Sequence, residues 1–259
     1  MKVSVRFIIK RIIYYILPAL SIFLLLLMWT AVAESQKTIP NPFEVFERFK
    51  RLQDRPISNT GIIGHIWASL QRVLKALGIS ILLGIPFGLL IGWSESFRYL
   101  FKPLFEIFRP IPAIAWIPLV SIWFGVGEAS KITIVFLGAV MPIVVNTYTG
   151  VSMVPKLLTD AAKSFGASHG QLLTDIVLPS SLQAIFAGIK TALGIGWMVV
   201  LAAEMISAKS GLGFLIIRGS DSDDIALTMV SMVFIGVIGA LLSTVCNLLE
   251  RRICPWTNE

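Results

Sequence analysis

Six apolar stretches, each longer than the ~20 residues a helix needs to cross a bilayer, lie near residues 13–33, 66–93, 101–125, 131–152, 181–204 and 226–249. Charged or turn-forming segments bound each of them. A 259-residue chain that is 56% hydrophobic and 14% charged, with a mean hydropathy of +0.82, cannot hide that surface in one water-soluble core. The sequence therefore predicts an all-α integral membrane protein with six transmembrane helices.

Charge supports a membrane role rather than a nucleic-acid one. The formal charge is +7, but the basic residues flank apolar spans, where they act as topology signals. Lys2, Arg6, Lys10 and Arg11 precede the first span and Arg251 and Arg252 follow the last, so six crossings place both termini on the cytoplasmic side. The first span, Tyr14 to Ala33, lacks a small-residue cleavage site and is read as a retained helix, not a signal peptide. The loop from Glu34 to His65 departs from the charge rule with Lys37, Arg48, Lys50, Arg51 and Arg55, offset in part by Glu34, Glu44, Glu47 and Asp54. Within it Phe43, Phe46, Phe49 and Leu52 recur at helical spacing after Pro40 and Pro42. That pattern predicts either an amphipathic helix on the outer membrane surface or a short packed loop helix. Residues 1–65 are thus set apart as an N-terminal helix with an extracytoplasmic amphipathic segment, and 66–259 as the core.

Small residues mark the predicted helix contacts. Ala76, Ser80, Gly84, Gly88 and Gly92 form one ridge, and Ala184, Gly188, Ala192 and Gly196 another. In lipid such ridges let helices approach closely. Pro103, Pro110, Pro112 and Pro118 are expected to bend or break the third span, which then needs protein or water around it, and Pro142 to kink the fourth. Charges inside spans are costly, so Arg109, Lys190 and Glu204 are candidates for a translocation pathway. Each has a structural alternative. Arg109 can pair with Glu106 three residues earlier. Lys190, placed near the midplane, can attract an anion, pack on a carbonyl or snorkel. Glu204 can serve an outer gate or be an interfacial helix-end carboxylate. Trp116 and Trp197 are candidate pore-lining residues, with membrane-interface anchoring or core packing as the alternatives. Asp221, Asp223 and Asp224 can meet a binding protein or solvate a loop. His65 and His169, read as lying in loops on opposite sides, suggest no metal site, and Cys246 and Cys254 lack metal-site spacing.

The polar stretch 154–179 between the fourth and fifth spans falls in the cytoplasm on this topology. Turn signals at Gly166 and Gly170 predict short helices joined by a bend, with Pro179 restarting the next span. Asp160, Ala161, Ala162 and Phe165 give the first helix a small face suited to docking in a partner's groove. Asp160, Ala161, Ala162, Gly166, Ile176, Leu178 and Pro179 resemble the EAA loop of bacterial ATP-binding cassette (ABC) import permeases, with Asp160 where glutamate is usual. From Trp67 to Trp256, stretches such as SLQRVLKALGIS, RPIPAIAWIPLVSIWFGVGEASKI, GIKTALGIGWMVVLAAEM and SGLGFLI are similar to the nitrate, sulfonate, taurine and bicarbonate branch of that family.

The resemblance implies a five-helix importer core preceded by one extra helix. It also implies pairing of two permease copies on two cytoplasmic ATPase subunits, delivery of substrate by an extracytoplasmic binding protein, and residence in a bacterial inner membrane. On that reading Asp160, Ala161, Ala162, Phe165, Gly166, Ala167 and Pro179 couple to the ATPase, and the cargo is a small anion. The chain has no GxxxxGK[ST] phosphate loop, so ATP and Mg belong to the partner ATPase and this chain is not itself expected to be an enzyme. The rival from another class is an ion-coupled secondary transporter or channel, which would need no EAA loop.

Overall fold

The computed structural model describes residues 5–36 and 38–255; Lys2, Lys37 and Trp256 lie outside them. In chain order the helices are α1 (Val5–Ser35), α2 (Pro42–Asp54), α3 (Ile62–Trp93), α4 (Glu95–Phe108), a 3-10 turn (Ala113–Trp116), α5 (Ile117–Phe124), α6 (Glu128–Ser152), α7 (Lys156–Ser164), α8 (His169–Gln171), a widened turn (Leu172–Val177), α9 (Leu178–Ser207), α10 (Leu212–Asp221) and α11 (Ile225–Ile253). No strand is present among the described residues.

The small-residue ridges explain the packing. A Cβ on Gly84 would lie 3.0 Å from Ile143, one on Gly88 2.6 Å from Thr147, and one on Gly92 2.6 Å from Val151. Both series rise together, so α3 and α6 run parallel at backbone-limited distance. On the other side of α6, Gly188 meets Asn146 and Pro142, while Gly196 meets Val135. That order is antiparallel. The two ridges were expected to mark tight contacts, and both close on α6, which forms the centre of the bundle.

Parallel packing of α3 and α6 requires the chain to return across the bundle between them. The return is made by α4 and the 3-10 turn with α5, bent by 87° at a break of four residues, Arg109–Pro112. Counted as one broken crossing, this pair brings the spans to six. Pro110 and Pro112 sit in the break, but Pro103 is carried inside α4, and Pro118 lies in the first turn of α5, where its missing N–H needs no acceptor. The expectation that all four prolines bend this span holds for two. Phe87 packs on Phe101 and Phe105 at 5.0 and 5.5 Å, holding α4 against α3.

α2 begins with a capping box between Asn41 and Glu44 and Pro42 in its first turn. It is a packed loop helix: Val45 and Leu52 are buried, Phe49 lies 5.3 Å from Phe234, and Arg48 Nε donates to Asp224 Oδ2 at 2.6 Å. Phe43 and Phe46 stay exposed. The Asp224 carboxylate also accepts from Leu227 N, capping α11.

Candidate functional site: loop, groove and charge cluster

The end of α11 and the 153–171 loop lie at one end of the bundle; the other end holds α2, α10 and the start of α3. At the loop end α7 terminates in a left-handed residue. Gly166 has φ +84°, its N–H donates to Lys163 O at 2.9 Å, and Ala167 N–H donates to Ala162 O at 3.0 Å. This reversal satisfies two terminal carbonyls and explains the glycine at 166. Asp160 sits in the middle of α7, not at its start, with Lys163 3.8 Å away. Phe165 is 91% exposed and Leu157 78%, so the outer face of this short helix is apolar and without a partner in the chain.

Beyond the turn, Ser168 caps α8, and the helix then continues without interruption into α9. Pro179 was expected to start the span. It does lie in the first turn of α9, directly after a widened turn that absorbs the N–H that proline lacks and the crowding of its ring.

A groove of about 530 Å³ runs between the break after α4, the middle of α6 and the middle of α9. Arg109, Pro112, Met141, Asn146, Thr191 and Met198 are among its walls. Arg109 is exposed and 3.9 Å from Glu106, so the ion pair within the helix exists and leaves the guanidinium accessible. Of the five pathway candidates only Arg109 lines this groove. Trp116 packs on Phe108 at 6.3 Å. Trp197 is buried and donates from Nε1 to Ile235 O at 3.2 Å. Lys190, in the middle part of α9, is paired with Glu250 in the last turn of α11.

Glu204 is 1% exposed, so it is not a solvated helix-end carboxylate. Its Oε1 accepts from Arg72 Nη1 at 2.6 Å, and its Oε2 accepts from Ser69 Oγ at 2.9 Å and Gly213 N at 3.0 Å. Arg72, itself 3% exposed, donates through Nε and Nη2 to both oxygens of Glu128 at 2.7 Å and through Nη1 to Ser210 O at 2.8 Å. Lys131 adds a second cation on Glu128 at 3.2 Å. Two cations thus meet two carboxylates. Ser69 Oγ accepts from Leu212 N, and His65 Nδ1 accepts from Gly211 N at 3.1 Å. That bond leaves the ring proton on Nε2, facing Ile57 O. His65 is therefore a buried residue of α3, not a loop residue. Gly211, at φ +124°, has no room for a Cβ because the Glu204 carboxylate occupies the space. The turn Ser210–Gly213 is folded around one carboxylate.

Sequence reasoning named Glu204 but missed Arg72, Ser69, Glu128 and Lys131. The signal was present: His65, Ser69 and Arg72 stand at i, i+4 and i+7 and continue the Ala76–Gly92 ridge on one face.

Residues 84–258 match the profile of the family described as binding-protein-dependent transport system inner membrane component. The chain belongs to this family. Among its relatives, the taurine transport system permease protein TauC of Escherichia coli K12 is 35% identical over 240 residues, 91% of this chain and 87% of that protein. The nitrate import permease protein NrtB of Synechocystis sp. is 30% identical over 244 residues, 92% and 89%. The bicarbonate transport system permease protein CmpB of Synechococcus elongatus is 31% identical over 247 residues, 92% and 89%. A chain of the MetNI methionine ABC transporter, in an inward-facing conformation, superposes with a TM-score of 0.64 at 18% identity, covering 74% of this chain and 95% of that one. The fold is that of an ABC importer permease, and this binding-protein-dependent component is the multi-pass transmembrane permease subunit of such an importer.

Proposed function

We propose that this permease imports a small oxyanion and that α7 is the element through which ATP hydrolysis on a separate ATPase reaches the membrane. The carrying observation is the exposed apolar face of α7, with Phe165 91% exposed on a helix closed by Gly166. A short helix with an apolar face and no partner of its own suits a groove on another subunit. Asp160, Ala161, Ala162, Ala167 and Pro179 set its surface and its attachment to α9.

Two copies of the chain face each other, each contributing the groove at Arg109, with a binding protein delivering cargo at the end opposite α7. The loop end and both termini are cytoplasmic. ATP and Mg reside on the ATPase pair, whose closure moves α7 and shifts the permease between two global states. Residues 66–259 form the importer core, and 1–65 add an N-terminal helix and its connecting segment. Support for an anionic cargo comes from the accessible guanidinium of Arg109 on the groove wall and from the taurine, nitrate and bicarbonate named for relatives.

The test is uptake into vesicles holding this chain with its co-purifying ATPase and binding protein, wild type against Gly166→Asp. The expected result is normal membrane insertion with loss of both ATPase co-purification and uptake. Uptake that persists without any ATPase and ignores the substitution would overturn the reading in favour of an ion-driven carrier or channel.

A further inference from the structure

The N-terminal helix α1 is long and apolar, yet from Ile16 to Ser35 it is almost entirely unburied. Its packing against the rest of the described chain runs through α2. Between α1, α2 and α11 this leaves a groove of about 290 Å³, walled by Trp29, Val45, Phe46, Phe49, Val233 and Phe234.

Two walls are held in place: Phe49 packs on Phe234 at 5.3 Å, and the Arg48–Asp224 ion pair ties α2 to the cap of α11. The Trp29 Nε1–H, the one polar group of those walls, already donates to Pro40 O at 3.0 Å. Water entering the groove would find almost no partners, which makes it a poor site for water and a good one for hydrocarbon. Phe46 and Val233 are 52% and 45% exposed, so the groove opens outward where α1 and α11 meet the bilayer. At this opening the Lys50 ammonium stands 4.7 Å from the centre of the Phe46 ring, in an exposed ion pair with Glu47 at 3.4 Å. An apolar slot continuous with a bilayer and ending at an exposed cation matches one molecule in shape and charge.

We propose that this groove is a phospholipid site: one acyl chain lies along Trp29, Phe46 and Val233, and the lipid phosphate sits at Lys50. The bound lipid then fills the space that α1 would otherwise leave beside α11, joining the N-terminal helix to the core through a ligand rather than through side-chain packing. This proposal rests on the membrane-spanning fold and is independent of the cargo and coupling readings.

The probe is a phospholipid carrying a photoreactive diazirine on its acyl chain, present as a minor component of phosphatidylglycerol nanodiscs holding the assembled transporter. After illumination, peptide mapping compares Phe46 and Val233 with Leu24 and Leu241, which are exposed on the same two spanning helices. Labelling at Phe46 and Val233 is expected to exceed that at Leu24 and Leu241. Val233→Trp, which fills the groove, is expected to cut labelling at Phe46 at least about fivefold while Leu24 and Leu241 are unchanged. Phe46→Ser, at an exposed position, supplies a second variant with the same expectation read at Val233. Lys50→Glu is expected to lower the phospholipid retained per chain after detergent washing. Equal labelling at all four positions, or indifference to both groove variants, identifies ordinary boundary lipid and overturns the proposal. Protein cross-links at Val233→Cys in place of lipid labelling overturn it too, by assigning the groove to another polypeptide.

Discussion

The helix running from His169 to Ser207 ends in two unlike environments. Near its α10 end, Glu204 is almost wholly buried and bonded to α3 and to the turn before α10, and through Arg72 to Glu128 of α6. At its other end, α7 and Phe165 are exposed, and the turn holding them is closed chiefly by backbone bonds to Gly166 and Ala167. One end is specified by interactions within the chain. The other is shaped but unsatisfied, and on the proposed docking it meets another subunit. On that proposal the difference separates residues whose loss unfolds the bundle from residues whose loss uncouples it.

Removing one member of the charge cluster should have the largest effect on stability. Arg72→Met leaves Glu204 buried without its cation, and truncating one partner of a buried pair costs about 3–5 kcal/mol. We expect a sharp fall in thermal stability of the detergent-purified permease, or its loss from the membrane. The double variant Arg72→Met/Glu204→Leu should recover much of that loss, because it removes the charge that was stranded. If the single and double variants melt alike, the cluster acts through shape and not through charge.

Gly88→Val tests the helix contact that fixes α3 against α6. The added Cβ would stand 2.6 Å from Thr147 Cβ and 2.9 Å from the Val144 carbonyl, so backbone must move. Overpacking of this kind costs about 1–3 kcal/mol. The melting temperature of the purified chain should drop, by less than for Arg72→Met. Gly78→Val, where a Cβ would meet nothing within 4 Å, is the matched control and should be nearly neutral.

These two predictions differ in how visible their basis was in the sequence. The glycine ridge was legible because four-residue spacing of small residues has one physical use in a membrane helix, close approach. What it did not disclose was the partner, since nothing along α6 advertises that it accepts ridges from both sides. The six spans were legible from apolar length, whereas the 87° bend at Arg109–Pro112 depends on where two segments pack after the proline break. Arg72 was passed over although it lies ten residues into α3, because its carboxylate partners stand 56 and 132 residues away and only the fold brings them together. Pro179 was legible as part of the first turn of α9, but the widened turn that joins it to α8 was not, because local sequence lets a proline either begin a helix or be absorbed by such a turn.

At the loop end the expected order of effects reverses. Gly166→Val forces a β-branched residue into the left-handed region at φ +84°, at a local cost of about 1–2 kcal/mol confined to the end of α7. The global melting temperature should change little, because α7 has no buried residue among its nine. Transport assayed with the ATPase present should fall strongly. A drop in melting temperature as large as that of Gly88→Val would show that the loop also stabilises the bundle.

Phe165→Ala sharpens the contrast furthest, since the smallest structural change is paired with a predicted loss of partnership. At 91% exposure the ring contributes almost no burial within the chain, and surface substitutions of this kind stay within about 0.5 kcal/mol. The backbone bonds at Gly166 and Ala167 do not involve the ring, so the turn should persist. On the proposed docking, however, the ring becomes a buried anchor at the ATPase surface, and an anchoring aromatic carries a disproportionate share of interface energy. The permease should therefore melt as wild type while retaining less ATPase through affinity purification. If retention is unchanged, the contact that transmits force lies on the Leu157 side of α7 instead, and Leu157→Ala becomes the substitution that separates folding from coupling.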